Sequence, residues 1–119
     1  MHILLLDDHD FVREALERAI LSRFPDAEVI ACETLSEAEV ALEKFDFDFA
    51  VLDYDIDNVY SSELADFIPE DLAFVVMTGH IKLGLDDIAK SFAPREPIEV
   101  LKKPSCLTEL MELLESQLG

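Results

Sequence analysis

Residues 45–58 read FDFDFAVLDYDIDN. Within them Phe49, Ala50, Val51 and Leu52 form a short apolar run, Asp53 stands at its end, and Asp55 and Asp57 follow. A continuous apolar run of this length suits a strand buried on both faces of a parallel sheet. Asp53 then lies at the carboxyl end of that strand, the edge at which open α/β sheets bind ligands. Working outward, an earlier run from Ile3 to Leu6 ends in Asp7 and Asp8, and two later runs end in Thr78 and Lys103. Four strand ends therefore carry three carboxylates, a hydroxyl and an amine.

The segments between these ends read as helices. Strand one covers 2–6. Asp10 is placed to cap a helix over 11–22, along which Val12, Leu16, Ala19 and Ile20 keep helical spacing, and Pro25 and Asp26 break it. Strand two covers 27–32. Thr34-Leu-Ser-Glu37 is a capping box, in which the Thr hydroxyl and the Glu carboxylate each satisfy a free amide at the helix start. That helix runs to about Lys44. Strand three is expected from 47 or 48 to 52, followed by an acidic loop without glycine up to Tyr60. Ser61 or Ser62 is placed to cap a short helix ending before Pro69. Strand four covers 72–77 and a helix is expected over 82–92, weakened at Gly84 by about 1 kcal/mol relative to alanine. Strand five covers 98–102. The last helix covers 105–118, with Leu107, Leu110, Leu114 and Leu118 at core spacing.

Five β-then-α units imply a parallel sheet with helices on both faces. Right-handed crossovers leave few topologies. A doubly wound, flavodoxin-like (βα)5 sheet of order 2-1-3-4-5 sets strands one and three side by side at the switch point, where Asp7, Asp8 and Asp53 meet. The chain has 119 residues, so one domain over 1–119 is the natural reading. Its formal net charge is −18, from 27 acidic and 9 basic residues, which repels nucleic acid and an anionic membrane surface. No apolar run reaches the length of a membrane span. Cys32 and Cys106 are too few for a disulfide scaffold and lack metal-site spacing; they read as small buried or partly buried thiols in a reducing cytoplasm.

Three carboxylates within about 4–6 Å repel, one pair at 4 Å by about 4 kcal/mol at an effective dielectric near 20. Either a proton or a cation must enter. Mg²⁺ suits such a place, because it prefers oxygen ligands and combines one or two carboxylates with phosphate. An aspartate there can act as a nucleophile and become an aspartyl phosphate. Lys103 can neutralise one phosphoryl oxygen and Thr78 can donate to another.

These pieces together resemble a receiver domain of two-component response regulators. The matching text is LLLDDHDFVREAL at 4–16, DFAVLDYD at 48–55, FVVMTG at 74–79 and VLKKP at 100–104, and it spans the chain in the family's order. The resemblance implies that Asp53 is the phosphoacceptor. Asp8, Asp53 and the backbone carbonyl of Asp55 ligate Mg²⁺ (or Mn²⁺), and Asp7 acts through a metal-bound water. Thr78 is the switch hydroxyl, Lys103 the phosphoryl-binding lysine, and Pro104 fixes the turn after it through a cis bond. A histidine kinase or histidine phosphotransfer protein is the implied donor. A downstream protein is the implied target, at the face of the fourth helix, fifth strand and last helix. The implied role is switching, not enzymatic turnover, in the cytoplasm. With no output domain after Gly119, the chain reads as a stand-alone regulator or a piece of a longer one.

The chain departs from the family pattern in places. The stretch after Asp53 lacks the usual Met-Pro-Gly, and the short distance from Asp53 to Thr78 implies a reduced third helix. Gly79 stands where alanine is usual, and Val100 where the family has an aromatic switch residue. Asp55 and His80, two residues after the acceptor and the switch hydroxyl, fall at positions that tune phosphoryl lifetime in the family. His9 and His80 taken alone read as loop residues. A calcium loop starting at Asp53 is excluded, because its twelfth position is Leu64. Two alternatives stay open. One is a receiver-like interaction module that takes no phosphoryl group. The other is a small haloacid-dehalogenase-like phosphatase, which Asp53-Tyr-Asp55 also resembles, with Asp55 as general acid.

Overall fold

A computed structural model describes residues 1–79, 83–103 and 107–119. Strand β1 (His2–Leu6) leads into α1 (Asp10–Arg23), β2 (Glu28–Cys32), α2 (Leu35–Lys44) and β3 (Phe49–Asp53). A small hairpin follows, β4 (Asp55–Ile56) and β5 (Val59–Tyr60), and then a 3-10 helix (Ser61–Phe67). Strand β6 (Phe74–Thr78), α3 (Leu85–Lys90), β7 (Glu99–Lys102) and α4 (Leu107–Leu118) complete the chain. The large sheet has the order β2-β1-β3-β6-β7, all pairs parallel. This is the expected flavodoxin-like order, the hairpin accounting for the shifted strand numbers. Register aligns Leu6 with Leu52, Asp53 with Met77, and Thr78 with Lys102, so the strands end together at one edge.

Alternation along the strands divides the core into two layers. Ile3, Leu5, Phe49, Val51, Val75, Met77 and Leu101 pack with Leu16 and Ile20 of α1 and Leu110 and Leu114 of α4. Leu4, Leu6, Ala50, Leu52, Phe74, Val76 and Val100 pack on the other side with α2, the 3-10 helix and α3. Every residue of β3 and β6 is buried, which explains their unbroken apolar text. The second layer holds Tyr54, Phe74 and Phe92 among its buried residues. Tyr54 stacks on Tyr60 with ring centroids 4.5 Å apart and 12° between planes. Phe92 tilts against both Tyr54 and Phe74.

The capping box forms as expected: the Glu37 N–H donates to Thr34 Oγ1 at 3.1 Å, and Glu37 Oε1 accepts from the Thr34 N–H. Other local expectations are corrected. Asp10 lies inside α1, not before it; His9 takes the cap position, and the Asp10 carboxylate pairs with Arg13 at 2.6 Å. There it still favours the positive end of the helix dipole. Neither Ser61 nor Ser62 caps the next segment: Tyr60 precedes it, and the Ser61 hydroxyl is buried inside it. That segment is a seven-residue 3-10 helix, the reduced third helix that the short spacing implied.

Strand three begins at Phe49, one or two residues late, and the later strands begin one or two residues late as well. The helix expected over 82–92 shortens to Leu85–Lys90, with Gly84 as its cap, where glycine costs only a few tenths of a kcal/mol relative to the best caps. In α4, Leu110 and Leu114 are buried, but Leu107 is exposed at the first position, before the stripe reaches the sheet. The acidic loop proves to be the β4–β5 hairpin. Asp57 and Asn58 turn it at φ 48° and 68°, the left-handed region that glycine usually supplies. Cys32, read as a buried or partly buried thiol, is buried, and burial pushes its thiol up to about 11. Lys82, His80, Pro104, Ser105 and Cys106, including the cis bond expected at Pro104, lie outside the described residues. Among the described residues no helix is long and apolar enough to cross a membrane.

Candidate functional site

Asp7 extends β1 by one step, its N–H donating to the Cys32 carbonyl at 3.1 Å. Its own carbonyl accepts from Arg13 Nη1 at 2.8 Å, and its side chain is fully buried. Asp53 ends β3, and the following N–H, of Tyr54, donates to the Met77 carbonyl at 2.8 Å. Lys103 follows β7, its N–H donating to the Thr78 carbonyl at 2.8 Å. Each of these three residues is therefore pinned by the sheet's own hydrogen bonding. Strand alternation then aims Asp7, Asp53 and Lys103 to the α1/α4 side, in step with Leu5, Val51 and Leu101.

The Lys103 ammonium bridges the two buried acids: Nζ lies 3.1 Å from Asp53 Oδ1 and 3.2 Å from Asp7 Oδ2. Asp53 is 3% exposed. Burial raises its carboxyl to about 6; Lys103 opposes the rise, and Asp7 and Asp8 add to it. Burial alone would lower Lys103, but Asp53 and Asp7 outweigh it and hold the ammonium above its usual range.

Asp8 stands at the mouth. Its Oδ2 accepts from the Asp57 N–H at 2.9 Å, which ties the β4–β5 hairpin to the end of β1. Its Oδ1 is buried and accepts no hydrogen bond among the described residues. The His9 N–H donates to Asp7 Oδ1 at 2.9 Å. The His9 ring folds over the same acids, Nδ1 lying 3.1 Å from Asp8 Oδ1 and 3.4 Å from Asp7 Oδ1. One donor atom from each of Asp7, Asp8, His9 and Asp53 lies within 4.8 Å of all the others.

Of the other expected site residues, Thr78 is buried at the end of β6, one step beyond the neighbour of Asp53. Asp55 is exposed and opens the hairpin opposite Tyr60. Val100 is buried in the aromatic layer. His80 and Pro104 lie outside the described residues. Sequence reasoning passed over two groups. His9 was set down as a loop residue, although its place directly after two strand-end acids was the available signal. Arg13 was read only as text in a motif, but it clasps the backbone of Asp7 from one helical turn away.

This donor set fits a hard divalent cation. Three carboxylates share one ammonium, and a buried carboxylate oxygen with no donor costs free energy unless a cation meets it. Asp8 Oδ1 accepts no hydrogen bond among the described residues, and the His9 ring 3.1 Å away brings positive charge to it only when protonated.

No protein-family model matches the sequence, and no curated protein matches it either. Solved structures do. A response regulator receiver domain protein (CheY-like) from Methanospirillum hungatei is similar with a TM-score of 0.79 and 19% identity, over 97% of this chain and 90% of that one. The response regulator TrrA from Thermotoga maritima, solved in complex with Mg²⁺ and beryllofluoride, is similar with a TM-score of 0.80 and 22% identity, over 98% of both chains. A response regulator from Burkholderia pseudomallei, solved with a phosphorylated aspartic acid, a calcium ion and citrate, gives 0.72 and 19%, over 99% of this chain and 75% of that one. The class is thus a doubly wound α/β protein with an acidic pocket at its switch point. More narrowly, the chain has the fold of response regulator receiver domains.

Proposed function

We propose that this chain is a phosphorylatable receiver: Asp53 accepts a phosphoryl group and the change in charge alters binding to a protein partner. The observation that carries this reading is the buried Asp53 carboxylate held 3.1 Å from Lys103, with Asp7 and Asp8 beside it at the same sheet edge. Solved relatives of the same fold that carry beryllofluoride with Mg²⁺, or a phosphorylated aspartate, support it.

In the proposed step, an Asp53 carboxylate oxygen attacks the phosphorus of a phosphohistidine on a kinase or phosphotransfer protein. The O–P bond forms, the P–N bond breaks, and the electron pair leaves with the donor imidazole. Asp8, Asp53 and the Asp55 carbonyl would hold Mg²⁺ or Mn²⁺, with Asp7 acting through a water, and the ion would supply positive charge against the carboxylates and the phosphoryl oxygens. Lys103 keeps Asp53 ionised and, after transfer, faces the new phosphoryl group. Thr78, at the adjacent strand end, donates its hydroxyl to the phosphoryl group and draws β6 toward it. The added charge, about −2 near neutrality, biases the face of α3, β7 and α4 toward a downstream partner. The setting of this exchange is the cytoplasm. Asp55, His80 and Val100 modulate the lifetime and coupling of the phosphorylated state.

The deciding experiment is intact mass after incubation with Mg²⁺ and acetyl phosphate, quenched in acid, beside Asp53→Asn. One phosphoryl group on the wild type and none on the variant is expected. No adduct, together with no binding of beryllofluoride, would replace this reading with that of a phosphoryl-independent interaction module. Sustained phosphate release from small phosphate esters, lost in Asp55→Asn, would replace it with a phosphatase.

A further inference from the structure

We infer that Arg13 is a positioning residue of the pocket: its guanidinium closes the turn from Asp7 to Asp10 and so sets where the Asp8 carboxylate stands. This rests on the proposed reading of the pocket as a cation and phosphoryl site, and names the residue that holds its outer acid. One guanidinium nitrogen, Nη1, donates to the Asp7 carbonyl at 2.8 Å. The other, Nη2, donates to Asp10 Oδ1 at 2.6 Å. The two acceptors belong to the first and last residues of the turn that carries Asp8. A guanidinium presents its donors in a rigid planar fork, so the pair of bonds fixes the two ends of the turn relative to each other.

The reach follows from the helix. The Arg13 N–H donates to the carbonyl of the cap residue His9 at 2.9 Å, which sets Arg13 one turn into α1. Helical side chains lean toward the amino end, so this one returns over the end of β1. Its bond to Asp7 bears directly on Asp8, because the Asp7 carbonyl and the Asp8 N–H belong to one planar peptide unit. Orienting that unit sets the direction in which the chain enters Asp8. Asp8 Oδ2 in turn accepts from the Asp57 N–H at 2.9 Å. A line of contacts therefore runs from Arg13, through the Asp7–Asp8 peptide, to the β4–β5 hairpin.

Ion pairing alone does not account for the arginine. Nη1 lies 4.0 Å from Glu33 Oε2 but 2.8 Å from the uncharged Asp7 carbonyl. The Arg13 side chain is 17% exposed, whereas Arg23, which pairs with Glu115 at the far end of the same helix, is half exposed. A lysine at position 13 keeps the charge but offers a point ammonium in place of the fork. Fork and charge are therefore separable by substitution.

The test uses the full chain in two measurements on the wild type, Arg13→Gln, Arg13→Lys, Asp8→Ala and, as a control for loss of an ion pair from α1, Arg23→Gln. Amide hydrogen exchange in chelator reads the Asp57 N–H, with the Val51 N–H of the buried strand β3 as the reference for global opening. Equilibrium titration with Mg²⁺ reads the pocket. Both Arg13 variants are expected to speed exchange at Asp57 by at least about tenfold relative to Val51. Both are expected to weaken Mg²⁺ by about tenfold or more. Arg23→Gln is expected to stay within about twofold of the wild type in both readouts. Wild-type exchange at Asp57 in the Arg13 variants overturns the inference. So does an acceleration at Asp57 that Val51 matches, which would reduce Arg13 to general stability. Wild-type behaviour of Arg13→Lys in both readouts reduces it to charge and overturns the fork. If Asp8→Ala leaves Mg²⁺ binding unchanged, the cation reading of the pocket fails, and exchange at Asp57 still decides the part played by Arg13.

Discussion

The two faces of the sheet are built differently. The face under α1 and α4 has helices of 14 and 12 residues over a largely aliphatic layer that includes Phe49, and the buried acids and Lys103 project to its side. The other face has α2 of 10 residues, a 3-10 helix of 7 and α3 of 6, over a layer holding Tyr54, Phe74 and Phe92. Long helices satisfy most of their backbone internally. Short ones leave a larger share of free amides and carbonyls and open at lower cost. The buried charges thus sit against the face with the longer helices, and the residues that alternate with them along the strands face the one with the shorter helices.

The largest expected effects test this asymmetry directly. Phe92→Ala should cost about 3–5 kcal/mol and Leu114→Ala about 2–5 kcal/mol in global unfolding, because both side chains are fully buried. Amide exchange in the wild type should still distinguish the faces, with α3 and the 3-10 helix exchanging through local openings well before α1 and α4. Equal protection on both faces would break the comparison.

The next effect lies at the charged edge. The native Asp53 carboxyl titrates at about 6 against an ordinary value of 3.8, so the folded protein binds a proton that the unfolded chain gives up. Without divalent ions, this group's contribution to stability is complete below pH 3.8 and is lost as pH rises through about 6. Asp53→Asn removes the loss. At pH 7.5 in chelator the variant should be more stable by up to about 3 kcal/mol, an advantage that shrinks toward zero near pH 4. Urea melts of both proteins across that range measure it, and a pH-independent difference would contradict the burial argument.

Smaller effects belong to the softer face and its border. Thr34→Ala breaks the capping box of α2 and should cost about 1 kcal/mol. Asn58→Gly relieves a left-handed residue in the hairpin turn and should gain about 0.5 kcal/mol, read as a rise in melting temperature. A loss in Asn58→Gly would mean that the asparagine side chain holds the turn, sharpening the account of how the hairpin is pinned beside Asp8.

The sheet was legible in the sequence because its strands are buried on both faces, so their text is unbroken, as in 3–6, 49–52 and 74–77. Right-handed crossovers did the rest. The convergence of Asp7, Asp53 and Lys103 followed from strand ends alone. The hairpin was not legible, since strands of two residues have no period and its turn uses Asp57-Asn58 without glycine. The cap of α1 was misplaced by one residue because Asp10 suits the cap and the first turn equally well. The ring of His9 could not be placed by spacing, since its position follows from the backbone bond to Asp7, a tertiary detail of a tight turn. The exposure of Leu107 likewise depends on where α4 first meets the sheet.

The stacked tyrosines have an optical consequence. The chain contains no tryptophan and two tyrosines, and both belong to the one stack that begins at the residue after Asp53. Tyrosine emission and the aromatic circular dichroism associated with it therefore arise beside Asp53, with no distant tyrosine to dilute them. Any rearrangement of the hairpin relative to the sheet changes the spacing of the two rings. The protein carries its own local spectroscopic gauge of that loop, readable without a label and without replacing a residue.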